Sequence, residues 1–118
     1  MKIYGIGTDI VRVERIKKSI KNKNFLNKLF SKEEILKCNK SVNSNNCYAK
    51  RFAAKEAFSK ALGTGISKNI KFKEIIVMNK KNGKPYIKVK GKTLETINKN
   101  IKKKGKYFLS LTDEKKYA

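Results

Sequence analysis

The sequence contains no histidine, a single proline and only two cysteines. Without histidine, the Ser-His and Cys-His pairs that activate many enzyme nucleophiles are excluded. The cysteines, Cys38 and Cys47, lack the spacing of a zinc motif, and no export signal accompanies them. We therefore predict two free thiols rather than a disulfide. Acid-base chemistry must then come from carboxylates, lysines, tyrosines or metal-bound water.

Long apolar runs are also missing, both of the length that crosses a membrane and of the kind found in signal peptides. These absences predict a cytoplasmic protein without a membrane partner. The chain has 118 residues, of which 39% are hydrophobic, which predicts one globular domain over residues 1–118. Because a chain of this size buries a limited fraction of its surface, an oligomer would help its stability.

Acidic side chains are scarce, with nine against 31 lysines and arginines, and the formal net charge is +22. Such a charge raises the alternative of a basic nucleic-acid-binding module. However, only Arg12, Arg15 and Arg51 are arginines, whereas a nucleic-acid reader is expected to cluster arginines among aromatic residues. We therefore predict no nucleic-acid partner. The charge instead favours rapid encounter with an acidic protein partner.

The periodicity predicts an α+β fold with a mainly antiparallel sheet, in the order strand, several helices, hairpin, helix and strand. Residues 2–9 predict a strand whose glycines permit close backbone approach, and Thr8 or Asp9 could cap the next helix. Residues 46–62 predict the main helix, ended by Gly63. Between these two elements we predict short helices on Val13, Ile16 and Ile20 and over residues 25–30, and a helix from Lys32 with a capping box at Ser31 and Glu34. After the main helix we predict strands 74–78 and 86–89 around an Asn82-Gly83 turn, a helix over 93–103 and a strand over 107–112.

Two carboxylates are candidates for chemistry. Asp9 follows a glycine-containing strand where the backbone can approach a ligand, although a helix cap also explains it. Glu56 shares a helix face with Phe52, Ser59 and Lys60, which a solvated polar face also explains. The loop Gly63-Thr64-Gly65 can turn N–H groups toward an anion, or simply cap the helix. Together these residues make a site for a hard cation and a diphosphate plausible.

Four blocks of the sequence resemble those of bacterial holo-acyl-carrier-protein synthases, which belong to the 4′-phosphopantetheinyl transferase superfamily. Gly5 to Val11 (GIGTDIV) resembles the N-terminal motif, and Arg51 to Ile66 (RFAAKEAFSKALGTGI) looks like the central signature. Asn82 to Pro85 (NGKP) and Leu109 to Asp113 (LSLTD) are similar to the third and fourth blocks. The resemblance covers nearly the whole chain, and the long central block is highly specific.

This resemblance implies a transferase that moves 4′-phosphopantetheine from coenzyme A to a serine of apo-acyl carrier protein, for fatty acid biosynthesis. It implies Mg²⁺ bound by Asp9 and Glu56, with Lys55 near the diphosphate of coenzyme A as a third catalytic residue. The positions that match coenzyme A contacts are Arg51, Phe52, Ser59, Lys60, Gly63, Thr64, Gly65, Asn82, Gly83, Lys84 and Pro85.

The family is homotrimeric, with active sites between subunits, so the resemblance also implies a trimer. A carrier-protein surface is implied at Arg15, with Lys18, Lys21 and Phe25 nearby. Asp113 departs from the histidine that many relatives have, and its role stays open. Relatives continue past the Tyr117-Ala118 pair with a further strand, so a final strand is expected to be missing here. A decayed homologue that binds coenzyme A without turnover is a further alternative.

Overall fold

Five helices and one antiparallel hairpin make up the part of the chain that the computed structural model describes, residues 2–63, 69–101 and 105–118. This composition confirms the predicted α+β class. The elements are α1 (Val13–Ser19), α2 (Lys23–Leu29), α3 (Lys32–Asn39), α4 (Ser44–Leu62), a 3₁₀ turn (Phe72–Glu74), β1 (Ile75–Asn79), β2 (Pro85–Val89) and α5 (Gly91–Asn100).

Helix α4 lies at the centre of the fold, in contact with α1, α3 and β1. Its buried residues include not only apolar side chains but also Arg51, Lys55 and Ser59, which are 2%, 0% and 1% exposed. Of the face interpreted as solvated, Phe52 and Ser59 are buried and Glu56 is half-buried, so only Lys60 is exposed. Gly63 ends the helix with a positive φ of 76°, as predicted for a left-handed cap.

The hairpin β1–β2 confirms the two inner predicted strands and their turn. Its register pairs Ile75 with Val89 at one end and Asn79 with Pro85 at the other. The first three residues of β1 are fully buried, because the strand is covered on both faces. Gly83 provides the turn with a φ of 89°, a conformation that favours glycine.

The two outer predicted strands are not strands in the structure. Residues 2–9 lie against α4 instead, and a side chain at Gly5 or Gly7 would meet the carbonyl oxygens of Ala61 or Ala57. The predicted close backbone approach is therefore made to a helix, not within a sheet. Residues 107–112 alternate between half-buried and exposed side chains, and Tyr107 packs edge-on to Phe58 at 5.1 Å between ring centroids. No strand pairs with them among the described residues.

The C-terminal residues pair with the segment that precedes α1. Val11 N–H donates to Ala118 O at 2.8 Å, and Ala118 N–H donates to Val11 O at 3.0 Å. Val13 N–H donates to Lys116 O at 2.8 Å. These bonds fix the last residues of the chain beside the start of α1.

Several predicted helix boundaries need correction. Helix α1 begins at Val13 behind Arg12, so neither Thr8 nor Asp9 caps it. Helix α5 begins at Gly91 and its backbone is already extended at Ile101, short of the predicted end at 103. The capping box of α3 is confirmed, since Ser31 Oγ accepts from Glu34 N–H at 3.2 Å and Ser31 N–H donates to Glu34 Oε1 at 2.9 Å.

The prediction of two free thiols is wrong, because Cys38 and Cys47 form a disulfide. Cys38 lies at the end of α3 and Cys47 at the start of α4, and the short turn between the helices brings their Cα atoms to 5.3 Å, within the range that a disulfide spans. Both residues are buried. Separately, none of the described helices is both long and apolar enough to traverse a lipid bilayer.

Candidate functional site: a carboxylate pair and a basic cavity

Asp9 and Glu56 lie together beside Lys60, on the C-terminal half of α4. Close packing of Gly7 on the α4 backbone brings the following residues to this helix face. Lys60 Nζ donates to Asp9 Oδ1 at 3.0 Å and to Thr8 O at 3.1 Å. The predicted metal ligands are therefore brought together by the structure, with a cation next to them.

The environment of Asp9 and Glu56 disfavours a negative charge on both carboxylates at once. Burial raises the pKa of Glu56, and the charge of Asp9 raises it further, while Lys60 and Arg15 oppose the shift. The Asp9 side chain is only 14% exposed, and its Oδ2 is buried without a hydrogen-bond partner among the described residues. A buried carboxylate oxygen without a donor is costly, so the arrangement calls for a cation.

The donor set fits Mg²⁺. This ion is held by one or two protein carboxylates and completes its shell with water and substrate phosphates. Asp9 and Glu56 supply those carboxylates, and Asp9 Oδ2 is the unsatisfied oxygen. Within residues 2–63, 69–101 and 105–118, no cluster of three or more histidine, cysteine or acidic side chains is present. A site with few protein ligands is thus the kind that these residues can form.

A second feature is a basic cavity of about 410 Å³ near the start of α4, between the α3–α4 turn and the hairpin turn. Neither Asp9 nor Glu56 lines it. Among the described residues, the titratable side chains that line it are five cations, Lys37, Lys50, Arg51, Lys80 and Lys81, and one carboxylate, Asp113. This excess of positive charge makes the cavity suited to an anion with several phosphates.

Arg51 is the buried cation of this cavity. Its Nη2 donates to Asn79 Oδ1 at 2.8 Å, and its Nη1 contacts Cys47 Sγ at 3.3 Å. The Nε atom has no hydrogen-bond partner within the described chain. Burial lowers the pKa of Arg51, which the charge of Glu34 partly offsets. A guanidinium that is 2% exposed and has an N–H without an acceptor among the described residues favours the approach of an anion.

Asn79 connects this guanidinium to the turn at Asn82 and Gly83, where the resemblance implies contacts with coenzyme A. Its side-chain oxygen accepts from Arg51, and its Nδ2 donates to Gly83 O at 3.0 Å. Within the turn, Lys84 N–H donates to Asn82 Oδ1 at 3.0 Å, and Pro85 begins β2. Sequence reasoning missed Asn79, although its place at the end of β1 directly before the turn is a usable signal.

Three predicted coenzyme A contacts lie in the interior instead. Lys55 Nζ is fully buried and bonded to Glu34 Oε1 at 2.8 Å and to the carbonyl oxygens of Phe72 and Ile75 at 2.7 and 2.5 Å. The Phe52 ring packs among other aromatic rings. All three Lys55 protons therefore have acceptors within the protein.

Ser59, the third of these residues, is 1% exposed, and its hydroxyl donates to Glu56 O at 2.9 Å. It therefore stabilises the backbone next to a predicted metal ligand from within the fold. Gly63 is exposed at the end of α4. The remaining predicted loop residues, Thr64 and Gly65, lie outside the described part of the chain.

The predicted carrier-protein surface is divided between exposed and packed residues. Arg15 and Lys18 are exposed on α1, and Lys21 is exposed just after it. Phe25 is partly buried and stacks on Phe52 at 6.4 Å between ring centroids. The three cations are available to a partner, whereas Phe25 also serves the core.

Comparison with known proteins identifies the family of the chain. The sequence profile of the 4′-phosphopantetheinyl transferase superfamily matches residues 5–113. The chain belongs to this superfamily. It is 52% identical to a holo-[acyl-carrier-protein] synthase of Pelagibacter ubique, over all of this chain and 93% of that relative.

Solved structures of the superfamily resemble the fold as well. The crystal structure of the Neisseria meningitidis holo-[acyl-carrier-protein] synthase has a TM-score of 0.85 at 37% identity, covering 98% of this chain and 93% of that one. The Helicobacter pylori synthase in complex with coenzyme A has a TM-score of 0.79 at 30% identity, covering 95% and 92%. The likeness therefore extends over nearly the whole of each chain.

Proposed function

We propose that the chain is a holo-acyl-carrier-protein synthase that transfers 4′-phosphopantetheine from coenzyme A to a serine of apo-acyl carrier protein. The observation that carries the proposal is the Asp9–Glu56 carboxylate pair, with a buried unsatisfied oxygen and Lys60 beside it. Relatives named for this activity support it, as does a related synthase solved with coenzyme A. The whole chain serves as one transferase domain.

Asp9 and Glu56 hold Mg²⁺ in this proposal. When bound, the ion neutralises charge on the phosphoryl oxygens during transfer. Lys60 is an exposed cation that bonds to Asp9, so we assign contact with the diphosphate to Lys60 and not to the buried Lys55. The serine hydroxyl attacks the phosphorus that carries pantetheine, and adenosine 3′,5′-bisphosphate leaves. Positioning and electrostatics supply most of the catalysis in such transfers.

The basic cavity receives the nucleotide end of coenzyme A. Arg51 presents a buried guanidinium to the phosphates, and Asn79 holds both that guanidinium and the turn at Gly83. The turn residues Asn82 and Pro85 then border the adenine. The opposite end of the ligand, with the reacting phosphorus, lies at the carboxylate pair.

The carrier protein docks on the basic surface formed by Arg15, Lys18 and Lys21. These side chains are exposed at and just after α1. An acidic partner is attracted by them and by the overall charge of +22, which raises the encounter rate. The reaction belongs to fatty acid biosynthesis in the cytoplasm, where coenzyme A and the carrier protein meet.

The working assembly is a homotrimer with sites between subunits. Two features of the chain support an assembly. Large apolar side chains are exposed on the two outer segments, with Ile3, Ile6 and Ile10 at 72%, 77% and 71% and Phe108 at 80%. In addition, the carboxylate pair does not line the basic cavity of the same chain. A neighbouring subunit would cover the apolar residues and bring the two halves of the site together.

The decisive experiment is intact-mass analysis of apo-acyl carrier protein after incubation with this protein, coenzyme A and Mg²⁺. We expect the gain of one phosphopantetheine, lost with EDTA and with Asp9→Asn, but retained with Glu95→Gln. Glu95 is an exposed acid on α5, so its replacement by glutamine removes the same charge at a position away from the site. No gain with folded wild-type protein that still binds coenzyme A would refute the synthase and leave a binding protein without turnover.

A further inference from the structure

The carboxylate of Asp113 lies at the rim of the basic cavity, where it engages two donors of α4. Its Oδ2 accepts from Asn46 Nδ2 at 2.8 Å, and its Oδ1 lies 3.4 Å from Lys50 Nζ. Asp113 and Lys50 are each about one third exposed, at 29% and 32% of their side chains. Asp113 is the only acid among the described residues that line the cavity.

The donors that hold Asp113 are of the kinds that also bind phosphate groups. A lysine ammonium and a side-chain amide both bind phosphate oxygens, and Lys50 is among the five cations that line the cavity. The Asp113 carboxylate therefore engages Lys50 and Asn46, which would otherwise be available to a phosphate of the ligand. It also repels any phosphate that approaches Lys50.

We propose that Asp113 is a specificity-determining residue that competes with the phosphates of the ligand for Lys50 and Asn46. The inference rests on the proposed function, which places the nucleotide end of coenzyme A in this cavity. Competition lowers the affinity for every phosphate-bearing ligand and acts most strongly on those with more phosphate charge. For the leaving adenosine 3′,5′-bisphosphate, weaker binding means faster release.

The segment that carries Asp113 has other attachments, so the side chain can be changed without detaching it. Glu114 Oε1 accepts from the N–H groups of Lys116 and Tyr117 at 2.8 and 2.7 Å. Asn46 Nδ2 also donates to Glu114 O at 2.9 Å. Asp113→Asn removes the charge and keeps an oxygen that can accept from Asn46.

The test is calorimetric titration of the full-length protein with adenosine 3′,5′-bisphosphate and with adenosine 5′-monophosphate. Because partly exposed ion pairs contribute modest energies, we expect Asp113→Asn to tighten bisphosphate binding roughly two- to fivefold. The gain should be smaller for the monophosphate and should decline with added salt. The matched control is Glu114→Gln, which removes the same charge from the neighbouring residue, outside the cavity lining, and should change affinity less.

A double-mutant cycle separates competition from a structural effect. In a Lys50→Gln background the benefit of Asp113→Asn should shrink, because the cation that the two anions share is gone and only the direct repulsion between Asp113 and the phosphates is left to relieve. Equal or weaker bisphosphate binding by Asp113→Asn would overturn the inference, as would a gain that is undiminished without Lys50. Failure of the wild-type protein to bind either nucleotide would instead refute the proposed use of the cavity, and the inference with it.

Discussion

The buried ion pair between Lys55 and Glu34 provides a sharp test of how the central helix is held. Lys55 Nζ donates three hydrogen bonds inside the protein, one of them to Glu34 Oε1. Glu34 Oε2 accepts from Val77 N–H at 3.0 Å, so the pair connects α3, α4 and β1. The perturbation we consider is Lys55→Met, which keeps the length of the side chain and removes its charge and donors.

The expected cost is large because the partner stays buried. Both side chains are 0% exposed, and breaking a pair of this kind by removing one member costs about 3–5 kcal/mol. A domain has a total stability of about 5–15 kcal/mol, so the variant should lose a large share of it. For a chain of this size, the melting temperature should fall on the order of 10–20 °C. Glu34→Gln should be similarly destabilising, since it leaves the ammonium without its counter-charge.

Urea unfolding at one fixed protein concentration measures these changes. The combined Glu34→Gln, Lys55→Met variant should cost less than the sum of the two single changes, because neither charge is then left alone. Lys50→Met is the control on the same helix and should cost at most about 1 kcal/mol, as expected of a partly exposed pair. A loss below about 1 kcal/mol for Lys55→Met, or strict additivity, would refute the assignment of Lys55 to the core. Direct contact of Lys55 with coenzyme A would instead weaken nucleotide binding without loss of stability.

Three further predictions follow from the structure. Burial and Asp9 raise the pKa of Glu56, so Mg²⁺ affinity measured by calorimetry should fall as the pH is lowered through that raised value, whereas the contribution of Glu56 to the stability of the fold should rise. Glu56→Gln should flatten both pH profiles, that of Mg²⁺ affinity and that of stability. Profiles that Glu56→Gln leaves unchanged would contradict the assignment. Reduction of the Cys38–Cys47 disulfide should lower the free energy of unfolding in urea by about 2–3 kcal/mol, as expected for a short closed loop. Reductant should have no effect on the stability of Cys38→Ser. Gly7→Ala should destabilise the fold and weaken Mg²⁺ binding by displacing Asp9 from α4, whereas Gly105→Ala, with open space around it, should be neutral in both assays.

The inner elements of the fold were predictable because their signals are local. The capping box at Ser31, the left-handed cap at Gly63 and the hairpin around Gly83 each depend on neighbouring residues alone, and all three are present. The outer strands were not predictable in the same way. Alternation over 107–112 gives the face that packs on α4 but says nothing about whether a partner strand exists.

Site residues show a similar division. The resemblance identified Asp9 and Glu56, and the structure brings them together beside Lys60. It also suggested ligand contact for Lys55, because sequence similarity marks a position without telling which way its side chain points. Glu34, the partner of Lys55 in this structure, appeared in the sequence only as half of a capping box, a role that gives no hint of its second bond to a lysine 21 residues away.

The adjacency of Lys55 and Glu56 explains how one helix serves the core and the site together. Consecutive helical residues point about 100° apart, so a lysine that is fully buried turns the next side chain toward the neighbouring surface. There, Glu56 meets Asp9, and Lys60 lies one turn further on the same face. Rotation of α4 would have to extract the Lys55 ammonium from three acceptors, which resists any reorientation of Glu56. The buried pair therefore fixes the angle at which α4 presents the Glu56 carboxylate.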